Sequence, residues 1–340
     1  MKKFKKLVAM GLCLTMCTGL LAGCGGNKAE EQQAEVPAEK QTLNVMAMTG
    51  PTGIGMVKLI SDDEAGTTAV DYNIALVGAA DEVSGKIVTG EVDIAAVPCN
   101  LASVLYNKTE GNVEVAAINV LGVLYILEGN GGQEIQSVAD LKGKTIISTG
   151  KGTTPEYSLN YILQQNGLDP EKDVTIEYKS EAAEVATLLA SGEAAVAMLP
   201  QPMVTTVLAK SDQVRVALDI TEEWSKVNAE NGTGMVTGTI IVRKDVLAEK
   251  PEAVATFMEE YAQSVAFVNE NVEEAAKLVE ASGIIPSAAV AQKAIPNCNI
   301  VCVTGEDMKK SVAAYLDVLY QANPKAVGGT LPADDFYYLP

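Results

Sequence analysis

Two short stretches hold the residue types from which a small-molecule site can be built. The first is Thr49-Gly50-Pro51-Thr52-Gly53; the second is Thr149-Gly150-Lys151-Gly152-Thr153-Thr154. Each follows a short apolar run and precedes a helical pattern. A strand, a glycine turn and a helix start aim backbone N–H groups beyond the strand's C-terminal end, and glycine lets that backbone approach a ligand closely. The hydroxyls of Thr49, Thr52, Thr153 and Thr154 serve either as donors to a ligand oxygen or as helix caps, and Lys151 is either a counter-charge or a solvated lysine. This chemistry suits holding a polar solute. The chain has no histidine, and its only arginines are Arg215 and Arg243. Ser-His-Asp and Cys-His nucleophilic sites and histidine-bearing zinc sites are therefore excluded. No catalytic residue, metal ligand or cofactor is expected.

Two look-alike motifs fail. Gly143-Lys144-Thr145 lacks the upstream glycine of a phosphate loop, since Val138 stands there, and it precedes a strand. Gly50-Pro51-Thr52-Gly53-Ile54-Gly55 spaces its glycines wrongly for a dinucleotide fingerprint.

The elements that position these turns form an internal repeat. Strand patterns at residues 43–48, 72–77, 92–97 and 113–118 alternate with helical patterns at 81–89 and 101–106, which predicts parallel sheets joined by crossover helices. Thr89-Gly90-Glu91-Val92-Asp93-Ile94-Ala95-Ala96-Val97-Pro98 aligns without gaps on Ser191-Gly192-Glu193-Ala194-Ala195-Val196-Ala197-Met198-Leu199-Pro200, 102 residues on. The two Thr-Gly turns align at an offset of 100. Each half thus reads strand, turn, helix, strand, helix, Gly-Glu, strand, Pro. Asn100 and Gln201, just beyond the repeated strands, are expected to face each other with amides that donate and accept. Tyr125, Tyr157 and Trp224 either stack on a planar ligand or fill core and rim. Asp81, Glu82 and Glu156 either meet an amine or cap helix N-termini. Beyond Pro200 the patterns are a helix at 204–210, a strand at 214–218, a polar connector bearing Trp224 and a strand at 237–242. Helices follow from Pro251, then at 273–280, 288–293 and 306–320; they carry no turn motif and read as packing elements.

Charge and the N-terminus narrow the setting. The formal charge is −19, and setting aside the four leader lysines leaves −23 on the rest, with no basic cluster after residue 6. That opposes nucleic-acid binding and suits a soluble exported domain. Residues 1–23 read as an export signal: Lys2, Lys3, Lys5 and Lys6, an apolar core, then Leu21-Ala22-Gly23 before Cys24. Residues 25–41 are rich in Glu, Gln and Ala and read as a tether. Cys99, Cys298 and Cys302 are expected as buried thiols.

Leu21-Ala22-Gly23-Cys24 resembles the lipobox of bacterial lipoproteins, which implies lipidation of Cys24 and an anchor on the outer face of the cell membrane. From Thr42 to Asn271 the chain resembles solute-binding proteins of ABC importers, in the branch serving nitrate, sulfonates, taurine and thiamine-pyrimidine precursors. The resemblance rests on Asp140-Leu141-Lys142-Gly143-Lys144, both Gly-Glu strands, Pro200-Gln201-Pro202 and Lys250-Pro251-Glu252-Ala253-Val254. The family pattern often has Glu-Pro where Gln201-Pro202 stands. The resemblance implies an α/β, two-lobed, periplasmic-binding-protein-like (type 2) fold, each lobe a mostly parallel sheet flanked by helices. Lobe 1 would be 42–127 plus 237–340 and lobe 2 128–236, with crossovers at 123–129 and 224–237. It further implies a monomeric receptor, not an enzyme, that captures a small solute and delivers it to a permease and its ATPase. A solute sensor and a same-fold enzyme of pyrimidine-precursor metabolism are the alternatives.

Overall fold

Two β-sheets of the same plan organise residues 40–340. The computed structural model describes residues 40–230 and 232–340. The leader, Cys24 and most of the tether lie outside the described residues. The chain first lays down β1 (Thr42–Met48), α1 (Pro51–Ile54), α2 (Val57–Glu64), β2 (Asp71–Val77), α3 (Ala80–Thr89), β3 (Ile94–Pro98), α4 (Cys99–Lys108) and β4 (Val113–Val120). Next come β5 (Leu124–Glu128), β6 (Thr145–Ser148), α5 (Thr154–Gln165), β7 (Thr175–Tyr178), α6 (Ala182–Ser191), β8 (Val196–Pro200), α7 (Met203–Lys210), β9 (Arg215–Asp219) and α8 (Ile220–Val227). It ends with β10 (Gly238–Arg243), α9 (Lys244–Glu249), α10 (Pro251–Glu270), α11 (Val272–Ala281), α12 (Ala288–Ala294), β11 (Ile300–Val303) and α13 (Gly305–Ala322).

The first sheet has the order β11-β4-β10-β3-β1-β2 and the second β7-β6-β8-β5-β9. In the first, β1 pairs in parallel with β2 and β3, while β10 runs antiparallel between β3 and β4. In the second, β6 pairs in parallel with β7 and β8, while β5 runs antiparallel between β8 and β9. The repeat is thus physical. Helices α3 and α6 end at Gly90 and Gly192, with φ of 79° and 82°, left-handed positions that suit glycine. Thr89 and Ser191 then donate to Glu91 and Glu193 at 2.9 and 3.0 Å. The Gly-Glu motif is a helix stop that aims the next strand into its sheet.

Four expectations change. Residues 124–127, assigned to the first lobe, are strand β5 of the second sheet, so the first crossover is residues 121–123. The uniformly apolar run 121–127 hid the change of sheet, and Gly129 marks the end of β5 instead. The polar connector bearing Trp224 is helix α8, started by Asp219 accepting from the amides of Thr221 and Glu222. Strand β11 has no counterpart in the sequence reading; its four residues pair only with β4, with a register irregularity. Finally, α13 does more than pack on the first lobe. Its Tyr315 packs on Trp224 with the rings tilted at 43° and their centres 5.1 Å apart, and shares a 2.9 Å hydrogen bond with Ser158 of α5. One buried cluster consequently runs from Met46 and Val97 of the first sheet to Ile126 and Met198 of the second.

Candidate functional site

The parallel strands of both sheets deliver their C-terminal ends to the two Thr-Gly turns, where an open α/β sheet places its ligands. At the first turn, Gly50 has a φ of 113° and precedes Pro51 at the start of α1. Thr52 donates to Met48 O at 2.6 Å, closing its own turn, and Gly53 is buried where an added Cβ would stand 3.1 Å from Met48 O. Thr49 is exposed and makes no side-chain hydrogen bond among the described residues. At the second turn, Gly150 and Gly152 take φ of 74° and 77°. Thr153 stands at the N-cap of α5, yet its hydroxyl donates to Gly150 O at 2.7 Å and caps no helix amide. Glu156 accepts from Gly152 N, so this acid fills a donor of the turn, as its capping alternative requires. Lys151 is exposed, and its ammonium lies 6.0 Å from the centre of the Tyr178 ring.

Asn100, just beyond β3 of the first sheet, meets the second turn. It is fully buried at the start of α4, accepts from Thr154 Oγ1 at 3.2 Å and donates to Gly152 O at 3.3 Å and Ala326 O at 2.9 Å. Its amide is therefore engaged by the second turn itself. Gln201, also buried, accepts from the amide and hydroxyl of Thr205 on α7. The expected pairing of these two carboxamides is replaced by these separate engagements. Tyr125 on β5 is half-buried and paired in register with Leu199 and Asp219; burial first, then Asp219, raises its phenol above the ordinary value. Tyr157 lines a groove beside α13, and Trp224 is fully buried with its indole N–H on Thr233 O at 2.9 Å. Trp224 is thus core and offers no face to a ligand. Asp81 and Glu82 are exposed in the first turn of α3.

Both arginines work elsewhere. Arg215, at the start of β9, holds buried Glu128 at 2.5 Å; Arg243, at the end of β10, pairs with Asp245 and lies 4.0 Å from Asp93. These are the strand ends opposite the turns. Anion recognition at the turns would then fall to backbone N–H groups, hydroxyls and Lys151.

Sequence reasoning missed several buried polar atoms near the turns. Both amide atoms of Asn119 and the hydroxyls of Thr221, Thr237, Thr239 and Tyr261 are buried without a hydrogen-bond partner. Asn119 ends β4, and its Oδ1 would lie 2.5 Å from a Cβ at Gly238. The Tyr261 hydroxyl lies near enough to feel the Asn119 amide, though without good hydrogen-bond geometry, and burial dominates in pushing it well up. The available signal was polar residues inside apolar strand runs: Asn119 in VEVAAINV and Thr239 in GTIIVR. No cluster of acids, cysteines or histidines able to hold a metal occurs among the described residues, and no described helix is long and apolar enough to cross a membrane.

Known proteins agree with this architecture. A crystal structure of an ABC transporter protein from Parabacteroides distasonis superposes with a TM-score of 0.72 at 22% identity, covering 88% of this chain and 99% of that one. The aliphatic sulphonate binding protein SsuA of Escherichia coli gives 0.68 at 16% identity, over 89% and 93% of the two chains. The nitrate-binding protein NrtA of Synechocystis PCC 6803 gives 0.56 at 15%, over 71% and 66%. No curated protein sequence matches the chain. These neighbours fix the two-sheet binding-protein fold, and the family they accompany is one of binding proteins, not enzymes. Residues 64–293, more than half of the chain, match the family described as ABC transporter, phosphonate, periplasmic substrate-binding protein, and the chain belongs to that family.

Proposed function

We propose that the chain captures a small oxyanion-bearing solute, of the phosphonate, sulfonate or nitrate kind, between its two lobes and passes it to an importer's permease. The observation that carries this reading is that Asn100, just beyond strand β3 of the first sheet, bonds Gly152 and Thr154 of the second turn. Lys151 supplies the exposed cation beside them. A planar pyrimidine-like solute is less favoured, because Trp224 is removed as a stacking platform. Closure of the lobes, with crossovers at 121–123 and 220–237, would be a population shift driven by contacts to both turns. Lipidation at Cys24 would hold the domain at the outer face of the membrane, and a Cys24→Ser chain is expected to move to the soluble fraction.

Calorimetry of the intact protein with methylphosphonate, ethanesulfonate and nitrate tests the reading. One of these classes should bind, and Lys151→Ala should weaken it about tenfold, the worth of one charge-assisted hydrogen bond. Absence of binding by all three, with no compaction in solution scattering, would overturn it.

A further inference from the structure

One face of α4 holds the end of the chain. Asn100, Ser103 and Asn107 follow one another at three and four residues, so they share that face. Beyond α13 the chain makes a short helical turn, Pro324–Val327, and runs on to Thr330 as a strap over this face. Asn100 donates to Ala326 O at 2.9 Å and Ser103 to Val327 O at 2.8 Å, while Asn107 donates to Val327 O and Thr330 O, both at 2.9 Å. Thr330 donates back to Asn107 Oδ1 at 3.2 Å. Gly328 has a φ of 87°, and a Cβ there would stand 2.9 Å from Asn107 Nδ2 and 3.1 Å from Val104 Cα. Glycine is what lets the strap lie this close. Further on, Phe336 is buried against Tyr106, and the Tyr338 amide donates to Val115 O at 2.9 Å, which fixes the tail on β4.

Asn100 is where the strap meets the cleft. Its Nδ2 carries two N–H groups and both are used, one on Ala326 O and one on Gly152 O, which leaves Oδ1 for the Thr154 hydroxyl. Turned over, the carboxamide would set its oxygen against Ala326 O with no proton between them, and Asn100 is fully buried, so water gives no relief. The strap carbonyl therefore selects the orientation that meets the second turn. Ser103 and Asn107 make their strap bonds without hydrogen-bonding to either Thr-Gly turn.

We propose that the strap, residues 323–330, is a positioning element of the cleft. Ala326 O holds the Asn100 amide in the orientation that engages Gly152 and Thr154, and Ser103 and Asn107 keep that carbonyl in place. The proposal rests on the reading that the two lobes close over a solute. Ser103 and Asn107 then set how readily the lobes part without meeting the solute themselves.

Hydrogen exchange of the Asn100 side-chain amide, assigned in the intact protein by the signal that Asn100→Asp removes, reads this orientation directly. Ser103→Ala and Asn107→Ala leave every partner of Asn100 in place. Each should speed that exchange about tenfold, the worth of one or two hydrogen bonds, and raise the radius of gyration of the solute-free protein. Tyr106→Phe is the control: it loses the Asp335 bond further along the tail and leaves the strap carbonyls alone, so exchange and radius should stay native. Native exchange in both alanine variants would overturn the proposal, as would faster exchange with an unchanged radius. Equal acceleration by Tyr106→Phe would make the effect a general loosening of the tail and overturn it too, as would an Asn100 amide unprotected in the native chain. None of these readouts needs a solute. Failure of methylphosphonate, ethanesulfonate and nitrate to bind would therefore count against the proposed function, while the strap stands or falls on exchange and radius.

Discussion

Arg215 and Glu128 show what a buried charge does in this protein. Burial alone would raise the Glu128 carboxyl, but the amides of Glu134 and Ile135 and the Arg215 guanidinium outweigh it and hold it below the usual carboxylate value. A depressed carboxyl stabilises the fold above its unfolded value, about 4.3 for glutamate, and that contribution disappears as the pH falls through the folded value. Glu128→Gln is expected to lose about 1.5–3 kcal/mol at pH 7, the worth of hydrogen bonds to a charged group. The gap to the native chain should narrow below about pH 4, measured by urea unfolding at pH 7 and pH 3.5. A gap that stayed constant with pH would show that the carboxylate's charge contributes nothing. At this scale the turns were legible, because Thr, Gly and Pro punctuate strand ends visibly. The roles within them were not. Whether Thr153 caps α5 or closes its own turn on Gly150, and whether Asn100 faces Gln201 or Thr154, depends on which residues the second lobe brings near.

The repeated helix stop belongs to the scale of elements. Gly90 and Gly192 occupy the same place in the two lobes, and a side chain at either position meets a left-handed backbone. A Cβ would also stand 3.0 Å from Arg243 Nη1 at Gly90 and 2.7 Å from Asn130 Oδ1 at Gly192. Gly90→Ala and Gly192→Ala should each cost about 1–2 kcal/mol, the penalty of that conformation for an L-residue. Lying in separate lobes with no shared partner, the two costs should add in the double variant. Denaturant midpoints of the four proteins measure this: a summed loss in one transition is expected, and strong non-additivity would mean that the two stops are energetically coupled. The same repeat made most of the architecture legible, since β3 and β8, like α3 and α6, keep their 102-residue spacing. What escaped was the antiparallel strand β5; β10 was placed in the first lobe, where it lies. The first sheet receives β10 from the return crossover and the second receives β5 from the outgoing one. An apolar strand buried between two neighbours looks alike in either sheet, so residue pattern cannot assign it. Helix α8 escaped for a different reason: its charged face filled the local composition, and only Ile220 and Trp224 are buried in it.

At the scale of the molecule, the two lobes meet in ways of different character. Behind the site, α13 and the apolar cluster around Trp224 and Tyr315 tie them through packing, which has no easy alternative arrangement. At the turns they meet through Asn100, whose three hydrogen bonds link α4, the segment at Ala326 and the Gly152–Thr154 turn. Hydrogen bonds of this kind are each worth about 0.5–1.5 kcal/mol net, and water can replace them when the turns separate. In the proposed closure the polar junction is the part that would open and the packed one the part that would pivot. Asn100→Ala should remove about 1–2 kcal/mol from the closed arrangement, a factor of roughly 5–30 in the ratio of closed to open molecules. Solution scattering should then show a larger radius of gyration for the solute-free variant than for the native chain, and the apparent affinity for the cleft solute should fall with the closed fraction. Saturating solute should restore the native dimensions, because its contacts to both turns replace the lost ones. If the variant kept the native radius and lost only thermal stability, Asn100 would be a core residue of α4 and the hinge would lie elsewhere.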